Sequence, residues 1–363
     1  MKVLLDNIIF SNTRQGGISN YWFELSKYLL NQKEDDVKFY EEMHADLNFH
    51  RQQLQIPEDK IIRNVSSYKS SILRRLAAVK PAIDAPFLFH SSYYRSKVQG
   101  KNVKQITTVH DFTHNYYANF LKKIVHNSLK YSSIRKSCGI ICISDNTFKD
   151  LRKFCPPSQR QKVTVINNGV GDEYKVIDKS DSVSADYLKG AGIKSKYILY
   201  IGSRASYKNF GLAAQLTNEL EGFQLVIVGD ELSSNEKRLF NPASLQRTVT
   251  LTNISDENLN VLYNFAYAFV YPSAYEGFGI PIIEAMRAGC PVLALDNSSI
   301  TEVAGGAAIL FESAKANDFK KAITQLENLQ FKLDLVEKGL EHSAKYSWEK
   351  CCRETHEFYK MIY

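Results

Sequence analysis

The chain has 363 residues, long for one hydrophobic core and comfortable for two. Its 44% hydrophobic content is ordinary for a soluble globular protein, and no apolar run is long enough to cross a bilayer. The formal charge of +7 admits a nucleic-acid binder on charge alone, but the basic stretches lack the interleaved aromatics of a stacking module.

In chain order, the opening "MKVLLDNIIFSNTRQGG" meets polar residues too soon for a signal peptide. It reads as a first strand, Lys2 to Ile9, and its loop, and the expected compartment is the cytoplasm. Alternation predicts a helix near Ile18 to Leu30 and strands at Val37 to Tyr40, Phe87 to His90, Gln105 to Val109, Gly139 to Ile143 and Val163 to Ile166. Further helices are expected at Tyr117 to Ser137 and Asn146 to Phe154. Three stretches here carry base and no acid: Arg63 to Lys80, Arg95 to Lys104 and Lys122 to Lys136. In the first, Ile72, Leu73, Leu76 and Val79 stand beside Arg74, Arg75 and Lys80 at helical spacing. That pattern reads either as a solvated surface helix or as a contact for an anionic membrane face or an acidic acceptor.

After "NNGVGDEY" the pattern lapses through "KVIDKSDSVSADYLKGAG", read as a linker. Strands then resume at Tyr197 to Gly202, Gln224 to Gly229, Thr248 to Thr252, Ala268 to Pro272 and Pro291 to Leu295, with helices from Asp318 to the end. Strand and helix alternating in this way predict parallel sheets, so the expectation is two doubly wound α/β domains facing across a cleft. Of the six cysteines, Cys138 and Cys142 fall in a strand and Cys351 and Cys352 are adjacent in a helix. Neither pair has zinc spacing, no Asp-x-Asp pattern occurs, and no metal or cofactor is expected.

The stretch "AYEGFGIPIIEAMRAG" places Glu276 and Glu284 around a thin glycine turn that leads into a helix with Pro281 in its first turn. Helix side chains lean toward the N-terminus, so Glu284 is expected to point back toward Glu276. Carboxylates suit sugar hydroxyls, whereas the helix start suits an anion. "YIGSRASYKNFG" supplies Arg204 and Lys208 on another strand-to-helix loop, where they could neutralise a diphosphate. Hydroxyls at one side and a diphosphate at the other describe a nucleotide sugar. Without further context, Glu276 and Glu284 read equally as a loop acid and a helix-start acid, and Arg204 and Lys208 as solvated charges. A paired-Rossmann dehydrogenase is disfavoured because no strand is followed by Gly-x-Gly-x-x-Gly.

The segment from "VLYNFAYAFVYPSAYEGFGIPIIEAMRAG" to "AAILF" resembles the donor-binding signature of the family 4 retaining glycosyltransferases, including its Glu-x7-Glu pair. "DNIIFSNTRQGGISNYWFEL", "TTVHDF", "CISDNTFKDL", "VINNGV" and "YSWEKCCRETHEFY" extend the likeness over most of the chain. The resemblance implies a GT-B fold, with residues 1–172 plus a returning helix 347–363 as the acceptor domain and 195–346 as the nucleotide-sugar domain. It implies that Glu284 holds the donor ribose, and that Glu276 with the backbone of Phe278, Gly279 and Ile280 binds the sugar. Arg204 and Lys208 would grip the diphosphate with Gly16 and Gly17, His110 would lie near the transferred sugar, and Ile254 would meet the base. Asn167 and Gly171 depart from the family pattern, which has a proline and an acid there.

The expected activity is a metal-independent, retaining hexosyl transfer to a glycan or lipid-linked saccharide in surface-polysaccharide assembly, with GDP-mannose the favoured donor. A sugar-nucleotide- or glycan-binding module on the same scaffold is the alternative.

Overall fold

The computed structural model describes residues 1–64 and 70–363; Val65 to Lys69 of the first basic stretch lie outside the described residues. The chain divides into two compact units, Met1–Gly169 with Ser347–Tyr363, and Val170–Tyr346.

The first unit is built on seven strands: β1 (Lys2–Asp6), β2 (Asp36–Glu41), β3 (Ile61–Arg63), β4 (Leu88–Ser91), β5 (Lys104–Val109), β6 (Gly139–Cys142) and β7 (Lys162–Val165). They form one parallel sheet in the order β3-β2-β1-β4-β5-β6-β7. Strands covered on both faces need continuous apolar sequence, and β1, β4 and β6 have it: Leu4, Leu5, Phe89, Ile140 and Ile141 are all fully buried. The second unit repeats the plan with β8 (Tyr197–Ile201), β9 (Gln224–Val228), β10 (Thr248–Leu251), β11 (Ala268–Tyr271), β12 (Val292–Leu295) and β13 (Ile309–Phe311). Its parallel order is β10-β9-β8-β11-β12-β13. Each unit thus starts in mid-sheet, winds one way and then reverses. The reversal leaves a crevice at the carboxyl ends of β1 and β4 in one unit, and of β8 and β11 in the other.

Several expectations need correction. The first strand ends at Asp6 rather than Ile9, because the Asn7 amide turns to Tyr40 O and Ile8–Asn12 coil into a helix that buries the same isoleucines. A short apolar run has no period that separates strand from helix. The expected helix from Tyr117 is two, Thr113–Tyr117 and Phe120–Lys136, since the Asn119 side chain accepts from Lys122 N and restarts the chain. The stretch read as a linker contains the helix Ser182–Gly190, capped by Asp181. Strands β3 and β13, three residues each at sheet edges, were not foreseen.

The last helix, Trp348–Ile362, packs within the first unit. Tyr359 meets His90, His356 pairs with Asp35 at 2.6 Å, and the rings of Trp348 and Tyr21 lie 6.3 Å apart. Where this segment begins, a Cβ on Gly169 would stand 2.1 Å from the Trp348 amide nitrogen, so two backbones touch there. Among the described residues, no helix is long and apolar enough to cross a membrane.

Candidate functional site

In the second unit the loops leaving β8 and β11 meet because those strands are neighbours at the reversal. Two hydrogen bonds lace the loops together: Asn209 Nδ2 donates to Pro272 O at 2.8 Å, and Ala274 N to Tyr207 O at 2.7 Å. Asn209 takes φ 48°, a left-handed turn asparagine tolerates, which aims its amide across the gap. The result brings Lys208 against Glu276, with Lys208 Nζ donating to Glu276 Oε1 and only 14% of either side chain exposed. The Tyr271 hydroxyl also donates to Glu276, and that carboxylate holds the phenol far above its usual range after burial has already raised it.

The turn itself is fastened from below. Ser298 Oγ accepts from Glu276 N at 3.0 Å, and the Ser299 hydroxyl donates to the carbonyls of Glu276 and Phe278 at 2.9 and 2.8 Å. Phe278 is buried, edge-on to Tyr346 at 5.8 Å. Gly279 stands at φ 108°, a conformation that a side chain would strain, and the helix Ile280–Arg287 begins there with no side-chain cap. Pro281 occupies the first turn and Gly289, at φ 72°, follows the end, as the sequence predicts.

Glu284 lies on the second turn of that helix. It accepts from Tyr263 Oη at 2.9 Å and lies beside Tyr174, whose hydroxyl donates to Asp256 at 3.1 Å. Burial, followed by the charges of Asp256 and Glu173, lifts the Glu284 carboxyl to about 8, and the Tyr263 hydroxyl offsets only part of that. Glu276 and Glu284 therefore sit in separate hydrogen-bond sets, one around a lysine and the other around two tyrosines. Gly171, which stands where the family carries an acid, leaves room for the Glu173 carboxylate, whose oxygen a Cβ would approach at 2.0 Å.

Arg204 follows β8 on the same loop as Lys208 but turns to other partners, Glu236 at 2.6 Å and the Glu231 carbonyl at 2.7 Å. Its Nη1 is buried without a hydrogen-bond partner. Burial would raise Glu236, but the Ser233 hydroxyl and the Arg204 guanidinium outweigh it and hold the carboxyl at about 2. Ile254, half-buried, follows β10 beside Asn253 in a left-handed turn.

Gly16, Gly17 and His110 belong to the first unit. Gly16, at φ 150°, precedes the 14-residue helix Gly17–Leu30, whose first turn has no side-chain cap and lines a cavity of about 660 Å³. His110 follows β5, 6% exposed and edge-on to Tyr21 at 5.2 Å. Burial lowers it to about 4, so the imidazole is neutral at physiological pH.

Sequence reasoning missed the tyrosines around the carboxylates (Tyr174, Tyr263, Tyr271), the Glu236 partner of Arg204 and the Ser298–Ser299 fastening. "VLYNFAY" could have flagged Tyr263, since a buried phenol needs an acceptor. The other contacts join distant segments and leave no local signal.

Two family models match the chain. The one described as Glycosyltransferase Family 4 covers residues 15–174, and Glycosyl transferases group 1 covers residues 189–342. The O-antigen chain mannosyltransferase RfbU of Salmonella typhimurium is 28% identical over 252 residues, 68% of this chain and 66% of that protein. The chain spans less than two thirds of the length of the curated relatives it matches. Among solved structures, WaaG, a glycosyltransferase involved in lipopolysaccharide biosynthesis, superposes with a TM-score of 0.72 at 12% identity over 100% of this chain and 99% of its own. Anabaena HepE in complex with UDP-glucose gives 0.73 at 13% identity, covering 100% of both chains. Two doubly wound units with these structural neighbours make the GT-B fold. The chain belongs to the family 4, group 1 glycosyltransferases.

Proposed function

We propose that the protein is a hexosyltransferase that moves mannose from GDP-mannose to a saccharide acceptor, free or lipid-linked, in cytoplasmic assembly of a surface polysaccharide. The observation that carries the reading is the Lys208–Glu276 pair at the sheet reversal, a cation for diphosphate beside a carboxylate for sugar hydroxyls. A nucleotide sugar presents both partners at once. The mannose preference is supported by the relation to RfbU, and the nucleotide-sugar class by the likeness to HepE, solved with UDP-glucose.

In this scheme Glu284 accepts ribose hydroxyls, Glu276 and the backbone of Phe278, Gly279 and Ile280 hold the sugar, and Ile254 meets the base. Arg204, Lys208 and the Gly16–Gly17 amides carry the charge that grows on the departing diphosphate. Such preorganised donors contribute about 3 kcal/mol each in the transition state. The acceptor hydroxyl attacks from the leaving-group face and gives its proton to a diphosphate oxygen, so the anomer is retained through an oxocarbenium-like state. Glu276, engaged by Lys208 and Tyr271, serves hydroxyls rather than acting as a nucleophile. His110 stays neutral beside the transferred sugar, and no metal is required.

A thermal-shift comparison of GDP-mannose, UDP-glucose, ADP-glucose and dTDP-glucose tests the reading, since a ligand that binds only the folded state raises its melting temperature. GDP-mannose is expected to give the largest shift, and silence from all four would end the proposal. Transfer assayed with EDTA should continue undiminished; activity lost to chelation and restored by Mg²⁺ or Mn²⁺ would overturn the metal-free scheme. Mannose neither transferred nor released from GDP-mannose would leave a binding module instead.

A further inference from the structure

The basic helix of the first unit exposes its apolar side and buries one of its arginines. On Ser71–Leu76 the apolar Ile72, Leu73 and Leu76 are 42%, 50% and 43% exposed, whereas Arg75 is only 7% exposed. Its guanidinium lies 4.5 Å over the Tyr93 ring, and its Nε and Nη2 are buried without a hydrogen-bond partner. A buried cation with two unmet donors is costly unless an anion joins it. Arg75 lines the cavity of about 660 Å³ into which the Gly17–Leu30 helix start also opens. His114 and His126, stacked at 3.7 Å, line it too, and no acidic side chain among the described residues does.

Across the cavity, the helix Phe120–Lys136 starts with its own apolar side chains in water: Phe120 and Leu121 are 76% and 75% exposed, next to Lys122 and Lys123. Leu121, Val125 and Ile72 line the cavity as well. Exposed leucines among lysines, above an anion-seeking pocket, match a ligand that has a charged head, an apolar chain and an anionic surface behind it.

We propose that this cavity binds the phosphate or diphosphate of a lipid-linked saccharide acceptor, with Arg75 on the anion and Ile72, Leu121 and Val125 on the start of the lipid chain. The word acceptor rests on the transferase reading; the binding site does not. The fork of Arg75 suits two phosphate oxygens, its stacking on Tyr93 fixes the plane, and the histidines supply further donors.

The test is calorimetric titration, with no sugar donor present, of decyl diphosphate, inorganic diphosphate and decyl maltoside. All titrations use an Arg204→Ala, Lys208→Ala background, so that the diphosphate-binding cations of the second unit do not contribute. Decyl diphosphate should bind at least about tenfold more tightly than either of the others, since charge and chain each add more than 1 kcal/mol. Arg75→Gln should weaken it by about tenfold or more, with Arg75→Lys intermediate because a point charge replaces the fork. Leu121→Ser, at an exposed site that leaves the fold intact, should weaken decyl diphosphate several-fold and leave inorganic diphosphate unchanged; it carries the test if Arg75→Gln does not fold. Equal binding of decyl and inorganic diphosphate would make this a site for free phosphates and overturn the lipid. Equal binding of decyl maltoside, or an Arg75→Gln variant that binds like its parent, would overturn the anion site. None of these outcomes depends on whether nucleotide sugars shift the melting temperature.

Discussion

Replacing Glu284 by glutamine should stabilise the protein while weakening its grip on the donor, and the stabilisation should depend on pH in a defined sense. The folded chain holds this carboxyl at about 8 against 4.5 for the free group. Between those values the native state keeps a proton that the unfolded chain releases, so stability falls as pH rises through the window, by up to about 1.4 kcal/mol for each pH unit. The ceiling across the whole window is about 4 to 5 kcal/mol, and water reaching the half-buried side chain should reduce the observed loss to about 2 kcal/mol. Glutamine cannot ionise and still accepts from Tyr263. The variant should therefore match the parent in urea denaturation near pH 5 and exceed it by about 2 kcal/mol near pH 9. Both tryptophans, Trp22 and Trp348, lie in the first unit, so their fluorescence does not report on the unit that holds Glu284. Far-ultraviolet circular dichroism is the appropriate signal, with the two units allowed separate transitions. Stability curves for parent and variant that run parallel from pH 5 to 9 would refute the reasoning.

Lys208→Ala and Arg204→Ala should each lower turnover about 10² to 10³-fold in a steady-state transfer assay; near-normal kinetics in both would remove the diphosphate clamp. His110→Ala should reduce kcat far more than it raises KM. Because burial holds His110 at about 4, the parent's turnover profile should show no limb from this imidazole between pH 6 and 9, and one near 6.5 that vanishes in the variant would contradict that. Gly169→Ala forces a methyl group to within 2.1 Å of the Trp348 amide nitrogen. It should destabilise the first unit by about 2 kcal/mol or more in urea, read from tryptophan fluorescence; an unchanged midpoint would mean the crossing is looser than it looks.

Much of the fold was legible because parallel sheets require apolar runs: each foreseen strand of the second unit lies within about a residue of its observed bounds. Periodicity failed where the run was short, as at Ile8 and Ile9, or where a helix was too polar to stand out, as at Ser182–Gly190. At the site, a turn and a helix start could be read from Gly279 and Pro281, and the strand order brings the Lys208 and Glu276 loops together. Which carboxylate each cation meets could not be read, because Arg204 and Glu236 are 32 residues apart, one on a loop and the other in the short helix Ser234–Lys237. The orientation of the helix Ser71–Leu76 was not legible for a different reason. Spacing identifies the two faces of a helix but not which faces inward, and arginine is normally outward.

The partners of Lys208 and Arg204 have a consequence for selectivity. In the resting protein each cation is already neutralised by a carboxylate, Glu276 and Glu236 respectively. An inorganic phosphate that captured Lys208 would strand Glu276 in a poorly hydrated place, and dividing such a couple is expensive. A compound that offers an alcohol to the acid while its charged tail takes the ammonium group exchanges both halves in one event. On the donor site proposed above, this resting pair should therefore disfavour simple anions and yield to molecules that bring both chemistries at the right separation.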